Sequence, residues 1–185
     1  VDDVDHRAVG VWSGWEKSPE KLGSRGRRIV GGGYYGDAWE GEKYSSSMRV
    51  GDIVKSIRKE FADDTASGFL PRGTTFSVTQ RDHNHIRVTI MRVPGVQIVT
   101  RAAALGSESV SRLDYYTGSA QKLKEYVESV LGAYNHDASN SQMDYFQVKF
   151  YDTVDFSDVL ELQQISDLRA LERQGDRIDV YLTHS

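Results

Sequence analysis

Leu123, Tyr126, Val127, Val130, Leu131 and Tyr134 recur at helical spacing without a miss. The stretch 119–134 therefore has one oily side that must lie against a second layer. A polar loop, residues 135–144, follows at once. In residues 145–151 Phe146, Val148 and Phe150 then alternate with Tyr145, Gln147, Lys149 and Tyr151, which is the two-residue period of a strand with one apolar face. A one-sided helix that hands its chain to a one-sided strand predicts helices packed on a sheet.

The remaining periodicities agree with that architecture. Val50, Ile53, Val54, Ile57 and Phe61 mark a helix over about 48–65, with Ser45 to Ser47 as N-cap hydroxyls and Gly68 and Pro71 stopping it. Strands over 74–80 (Phe76, Val78) and 85–93 (Ile86, Val88, Ile90) flank the short polar connection 81–84, as in a hairpin. Residues 96–100 read as a further short strand and 101–118 as a loop with a helical turn. Ser119 is placed to cap the second helix. A third helix is expected within 157–174, ended by Gly175, and a last strand carries Ile178, Val180 and Leu182. The predicted fold is α+β: one domain over 1–185, a two-layer sandwich whose mainly antiparallel sheet has two or three helices on one face.

Composition removes whole classes of chemistry. With no cysteine the chain has no disulfide, thiolate zinc site, iron–sulfur cluster or cysteine nucleophile. No apolar run approaches the roughly 18 residues of a membrane span, and the acidic start lacks the basic and apolar regions of a signal peptide, so no membrane partner and a cytosolic setting are expected. Charge is divided along the chain: residues 1–20 carry 2 basic against 5 acidic residues, 21–101 carry 14 against 8, and 102–185 carry 7 against 14. Such a split fits a basic nucleic-acid face beside an acidic one, or two halves that attract each other when folded; at this density the second is favoured.

Residues 1–45 hold Trp12, Trp15, Trp39, Tyr34, Tyr35 and Tyr44, too many aromatics for a disordered tail. The segment is expected to be irregular or short-stranded and packed on the domain. Within it Arg25, Arg27 and Arg28 precede Gly31, Gly32 and Gly33, but neither GxGxxG nor GxxxxGK[ST] is present, so a flexible turn is favoured over a phosphate loop.

Residues 53–61 (IVKSIRKEF), 73–78 (GTTFSV) and 134–151, in which Ser139, Asn140, Ser141 and Gln142 precede Asp144, Tyr145 and Phe146, resemble a family of large polyvalent protein-associated domains. These occur in bacteriophages, conjugative plasmids and other mobile elements, inside very large proteins and as short separate chains. The resemblance covers about 48–152. It implies an α+β accessory domain of a mobile element, acting against host defence or on incoming nucleic acid, and it brings no catalytic residues.

Three surfaces are candidates for function. The first is the polar loop with Asn135, His136, Asp137, Ser139, Ser141, Asp144 and Tyr145, read as a partner- or ligand-binding loop on a rigid support; the bland alternative is that its Asp, Ser and Asn side chains bond their own backbone. It is not a calcium loop, since counting from Asp137 puts Gln142 and Val148 where an EF-hand needs Gly and Glu. The second is the sheet face away from the helices, expected to collect Thr79, Arg81, His85, Arg87, Thr89, Tyr145, Lys149, Tyr151 and Tyr181; interleaved aromatics and cations suit unpaired bases, with Arg25, Arg27 and Arg28 as further phosphate contacts. The third is an enzyme site around 134–144, for which the chain offers no HExxH or GxSxG; Asp152, Asp155 and Asp158 read as a solvated acidic run, and His83 and His85 as exposed turn residues and not metal ligands. The reading favoured is a non-enzymatic binding protein without metal or cofactor, whose partner is a host or phage protein in preference to nucleic acid.

Overall fold

The computed structural model describes residues 28–33, 36–106, 111, 114–139 and 147–183; for 28–29, 31–33, 36–37 and 176–183 only the backbone is described. The fold is α+β. Strands β1 (Arg28–Gly33) and β2 (Gly36–Glu40) lead into helix α1 (Val50–Ala66). Next come the hairpin β3 (Thr75–Arg81) and β4 (His85–Arg92), the short helix α2 (Arg101–Leu105) and helix α3 (Gly118–Tyr134). The two-residue β5 (His136–Asp137), β6 (Tyr151–Phe156) and the long helix α4 (Asp158–Thr183) close the chain. Two three-stranded sheets result, β1-β2-β5 and β3-β4-β6.

The patterned segments fold as their periodicity requires. On α1, Ile53, Val54, Ile57 and Phe61 are buried; on α3, Leu123, Tyr126, Val127, Val130 and Leu131 are buried. They meet Val78, Ile86, Val88 and Ile90 of the hairpin in one continuous core that also takes Phe150, Val154 and Phe156. At the top of the core the Tyr126 hydroxyl donates to the buried Asp64 carboxylate at 2.6 Å, joining α3 to the end of α1.

Strand pairing among the described residues is mainly antiparallel, as expected, with one parallel pairing, β6 on β4 (Ile86↔Asp152, Val88↔Val154, Ile90↔Phe156). Several other expectations are corrected. The strand expected at 146–151 begins at Tyr151, because Val154 and Phe156 supply the inward face, while Val148 makes only an isolated bridge to Asp137. Residues 96–100 form no strand beyond the bridge Val99↔Tyr116, since their backbone is taken up elsewhere. Gln164 of α4 accepts from Ile98 N (2.6 Å) and donates to the Val96 carbonyl (2.8 Å), and Thr117 N donates to the Ile98 carbonyl.

The final strand is helix instead. α4 runs through Gly175 to Thr183, since Leu171, Ile178 and Leu182 satisfy helical spacing as well as Ile178, Val180 and Leu182 satisfy alternation. Capping also differs. Thr117, not Ser119, caps α3 by accepting from Ala120 N, and Ser45 and Ser47 bond each other while Arg49 occupies the uncapped start of α1. Among the described residues no helix is long and apolar enough to cross a membrane.

α4 is held down by a tyrosine pair. The Tyr116 hydroxyl donates to Glu161 Oε1 at 2.7 Å and that of Tyr115 to Oε2 at 3.3 Å, their rings edge to face at 4.9 Å. Burial, then the bond to Glu161, pushes the Tyr116 phenol far above its ordinary value, and burial followed by Glu161 raises Tyr115 in the same direction. Phenols whose protons are held more tightly in the folded state contribute stability that is complete below the unfolded value and lost as pH climbs through the folded one. Urea midpoints should therefore fall above about pH 10, and less steeply in Tyr116→Phe. Superimposable alkaline profiles for the two proteins would sink this assignment.

Candidate functional site

The polar loop stands on a narrow stem. From the end of α3 the chain passes into β5, which pairs with β2 (Trp39↔Asp137, Glu40↔His136). Ala138 N donates to the Gln147 carbonyl at 2.9 Å and Lys149 N to the His136 carbonyl at 3.1 Å, so 136–138 and 147–149 are the two sides of a hairpin.

The side chains of Asn135, Asp137 and Ser139 serve the backbone. Asn135, 7% exposed, donates from Nδ2 to the Phe150 carbonyl (2.9 Å) and accepts at Oδ1 from His136 N (2.9 Å) and Phe150 N (3.3 Å). Asp137 accepts from Ser139 N at 2.8 Å, and Ser139 Oγ accepts from Gln147 N at 3.1 Å. His136 stacks on Tyr44 with ring centroids 4.9 Å apart and buries an Nδ1 that has no hydrogen-bond partner. These groups close the turn, as short polar side chains do when their own backbone is the nearest partner. Ser141, Asp144 and Tyr145 lie outside the described residues.

The second sheet brings the other candidates together. Cross-strand register sets Arg81, His85 and Tyr151 in one row, Thr79, Arg87 and Thr153 in the next, and Ser77, Thr89 and Asp155 in a third, all on the side away from the core. Among the described residues no helix lies over this side: Thr79, Arg81 and Arg87 are exposed, as are Met91 (45%) and Tyr151 (49%). Two cross-strand contacts brace it, Arg87 to Asp155 at 3.0 Å and His85 Nε2 to Thr153 Oγ1 at 2.9 Å. The first turns part of the expected acidic run to use on this surface.

Lys149 does not join the face. Its ammonium donates to the Ser46 carbonyl at 2.9 Å and lies over the Tyr44 ring, binding the hairpin stem to the approach of α1. Tyr181 sits on α4 and not on a strand. Arg28 stands in β1 opposite Glu40, and Arg25 and Arg27 lie outside the described residues. His83 is exposed at the turn, and among the described residues no group of three or more His, Asp or Glu is placed to hold a metal ion.

One surface had no sequence signal. Between α1 and β3 lies an open cleft bordered by Arg58, Arg72, Phe61 and Phe76, residues far apart in the chain. Nothing short of knowing which strand α1 leans on would have grouped them. The chain matches no protein-family model, no curated protein and no solved structure.

Proposed function

We propose that the chain is a non-enzymatic binding protein that docks a partner protein on the outer face of β3, β4 and β6. The observation that carries this reading is that no described element covers this face, with Arg81, Arg87, Met91 and Tyr151 exposed on a braced sheet. Arginine, methionine and tyrosine are the residue types enriched where proteins meet, and a rigid support lowers the cost of ordering them. The resemblance of residues 48–152 supports a setting in the cytosol of a bacterial host, on the side of a phage or mobile element, with an anti-defence role as its finer form.

Nucleic acid is the second reading, favoured by the row of Arg81, His85 and Tyr151. It is the weaker one for two reasons. Single-strand platforms stack successive bases on several aromatics, whereas Tyr151 is the one aromatic on this face among the described residues. Arg87, its central cation, is already neutralised by Asp155.

Affinity capture from bacterial lysate, with and without nuclease, separates the two. A protein should be retained after nuclease and at raised salt. Tyr151→Ala should leave stability within about 0.5 kcal/mol while weakening capture by about 1–2 kcal/mol, roughly ten- to thirtyfold. Capture abolished by nuclease, or untouched by Tyr151→Ala together with Arg87→Ala, would remove the protein-docking reading.

A further inference from the structure

Among the described residues the same sheet has a bare rim, since there β3 pairs with β4 on one side only. On its other side Arg58 of α1 donates from Nε to the Val78 carbonyl at 3.2 Å, so the backbone groups of Val78 point away from β4. The two-residue period of a strand sends those of Phe76 and Gln80 the same way.

Between this rim and α1 opens the cleft of about 630 Å³. Its floor is the stacked pair Phe61 and Phe76, with ring centroids 4.2 Å apart. Arg58 and Arg72, both exposed, stand on its walls, and among the described residues no aspartate or glutamate lines it. Thr65 and Thr74 also border it, but their hydroxyls donate to the Phe61 and Pro71 carbonyls. What the cleft offers is a strand rim, an aromatic floor and two guanidinium forks.

Each of these has a matching chemistry. A free rim takes one more strand through main-chain hydrogen bonds, guanidinium forks take carboxylates two bonds at a time, and stacked rings take an apolar side chain. We propose that the β3 rim and its cleft bind an extended, acidic segment of a partner protein, which adds to the sheet as a fourth strand. It sets an apolar side chain over Phe61 and Phe76 and carboxylates on Arg58 and Arg72. On binding, Arg58 exchanges the Val78 carbonyl for a carboxylate, and that carbonyl takes an N–H from the incoming strand, so no acceptor is left bare.

A second copy of this chain is the poorer occupant. Two β3 rims laid together would bring the arginines of one cleft against those of the other, and like charges across an interface are costly. In the free protein Arg58 screens the rim, as charged side chains on edge strands commonly do. The site is separate from the outer sheet face, so either can fail without the other.

The test uses the full chain and a displayed library of short random peptides. Selected peptides should alternate apolar and acidic residues, and their binding should slow hydrogen exchange at the amides of Phe76, Val78 and Gln80. Arg58→Glu combined with Arg72→Glu should weaken them about tenfold or more, whereas Tyr151→Ala should leave them unchanged. Both arginines are exposed and water can replace the Arg58 bond to the Val78 carbonyl, so the double variant should unfold cooperatively at a urea midpoint close to the wild-type one. Peptides that tolerate the charge reversal, protection that falls on the outer face, or a library that returns no binder overturns the proposal.

Discussion

Gly41→Ala should lower the unfolding free energy by about 3–5 kcal/mol, a large part of the roughly 5–15 kcal/mol that holds an ordinary domain together. A Cβ at this position would sit 2.1 Å from the Gly132 carbonyl oxygen and 2.3 Å from that of Ala133. Both are backbone atoms at the end of α3, where no side chain can swing aside. Relief means lifting the 41–43 segment off the helix. That breaks the bonds from Gly41 N to the Asn135 carbonyl (2.9 Å) and from Lys43 N to the Ala133 carbonyl (2.8 Å), which satisfy acceptors the helix terminus leaves unpaired. The requirement is one of space. Gly118 and Gly175, with nothing within 4 Å of an added Cβ, are the controls. Urea unfolding of the three alanine variants decides the matter: a Gly41→Ala midpoint equal to those of the controls would show that the two segments are not packed as described.

Asn135→Ala should cost about 2–4 kcal/mol, since each of three hydrogen bonds contributes about 1 kcal/mol and the Phe150 carbonyl and amide are left buried without partners. The effect should appear locally as faster hydrogen exchange at His136 and Phe150, and globally as a lower denaturant midpoint. Asn135 is the staple between the end of α3 and the approach to β6, so any loss of partner binding in this variant should track its loss of stability. Binding abolished at full stability would instead make Asn135 a direct contact. Asp137 and Ser139 are the gentler probes of the same loop, because each closes the turn with a single bond.

How much of this was legible follows from which physics decides each element. α1, α3 and the β3–β4 hairpin were readable because burial on one side stamps a period on the sequence. Ile53, Val54, Ile57 and Phe61 show it, as do Val88 and Ile90. The outer sheet face came with them, since alternation that fixes Ile86 and Val88 inward fixes His85 and Arg87 outward.

The failures have equally specific causes. Ile178, Val180 and Leu182 fit two periods at once, and only continuity with the preceding helix selects one. Short strands are expected somewhere in 1–45, but Gly31 to Gly33, read as a flexible turn, belong to β1, a strand by backbone pairing to β2 with no apolar alternation there to announce it. In the polar loop, asparagine, aspartate and serine serve a turn or a ligand equally well by composition, and only distances show those of Asn135, Asp137 and Ser139 serving the turn. The cleft beside β3 joins Arg58 to Phe76 through tertiary placement alone.

The parallel partnership of β4 with β6 has a bearing on how the molecule comes into being. Ile90 and its neighbour Phe156 are 66 positions apart, and at about 5–20 residues per second a ribosome needs roughly 3–13 s to deliver the second after the first. Throughout that interval the nascent hairpin is flanked by vacancies on both sides, and the sheet is finished last by a strand that must thread home beside one made long before.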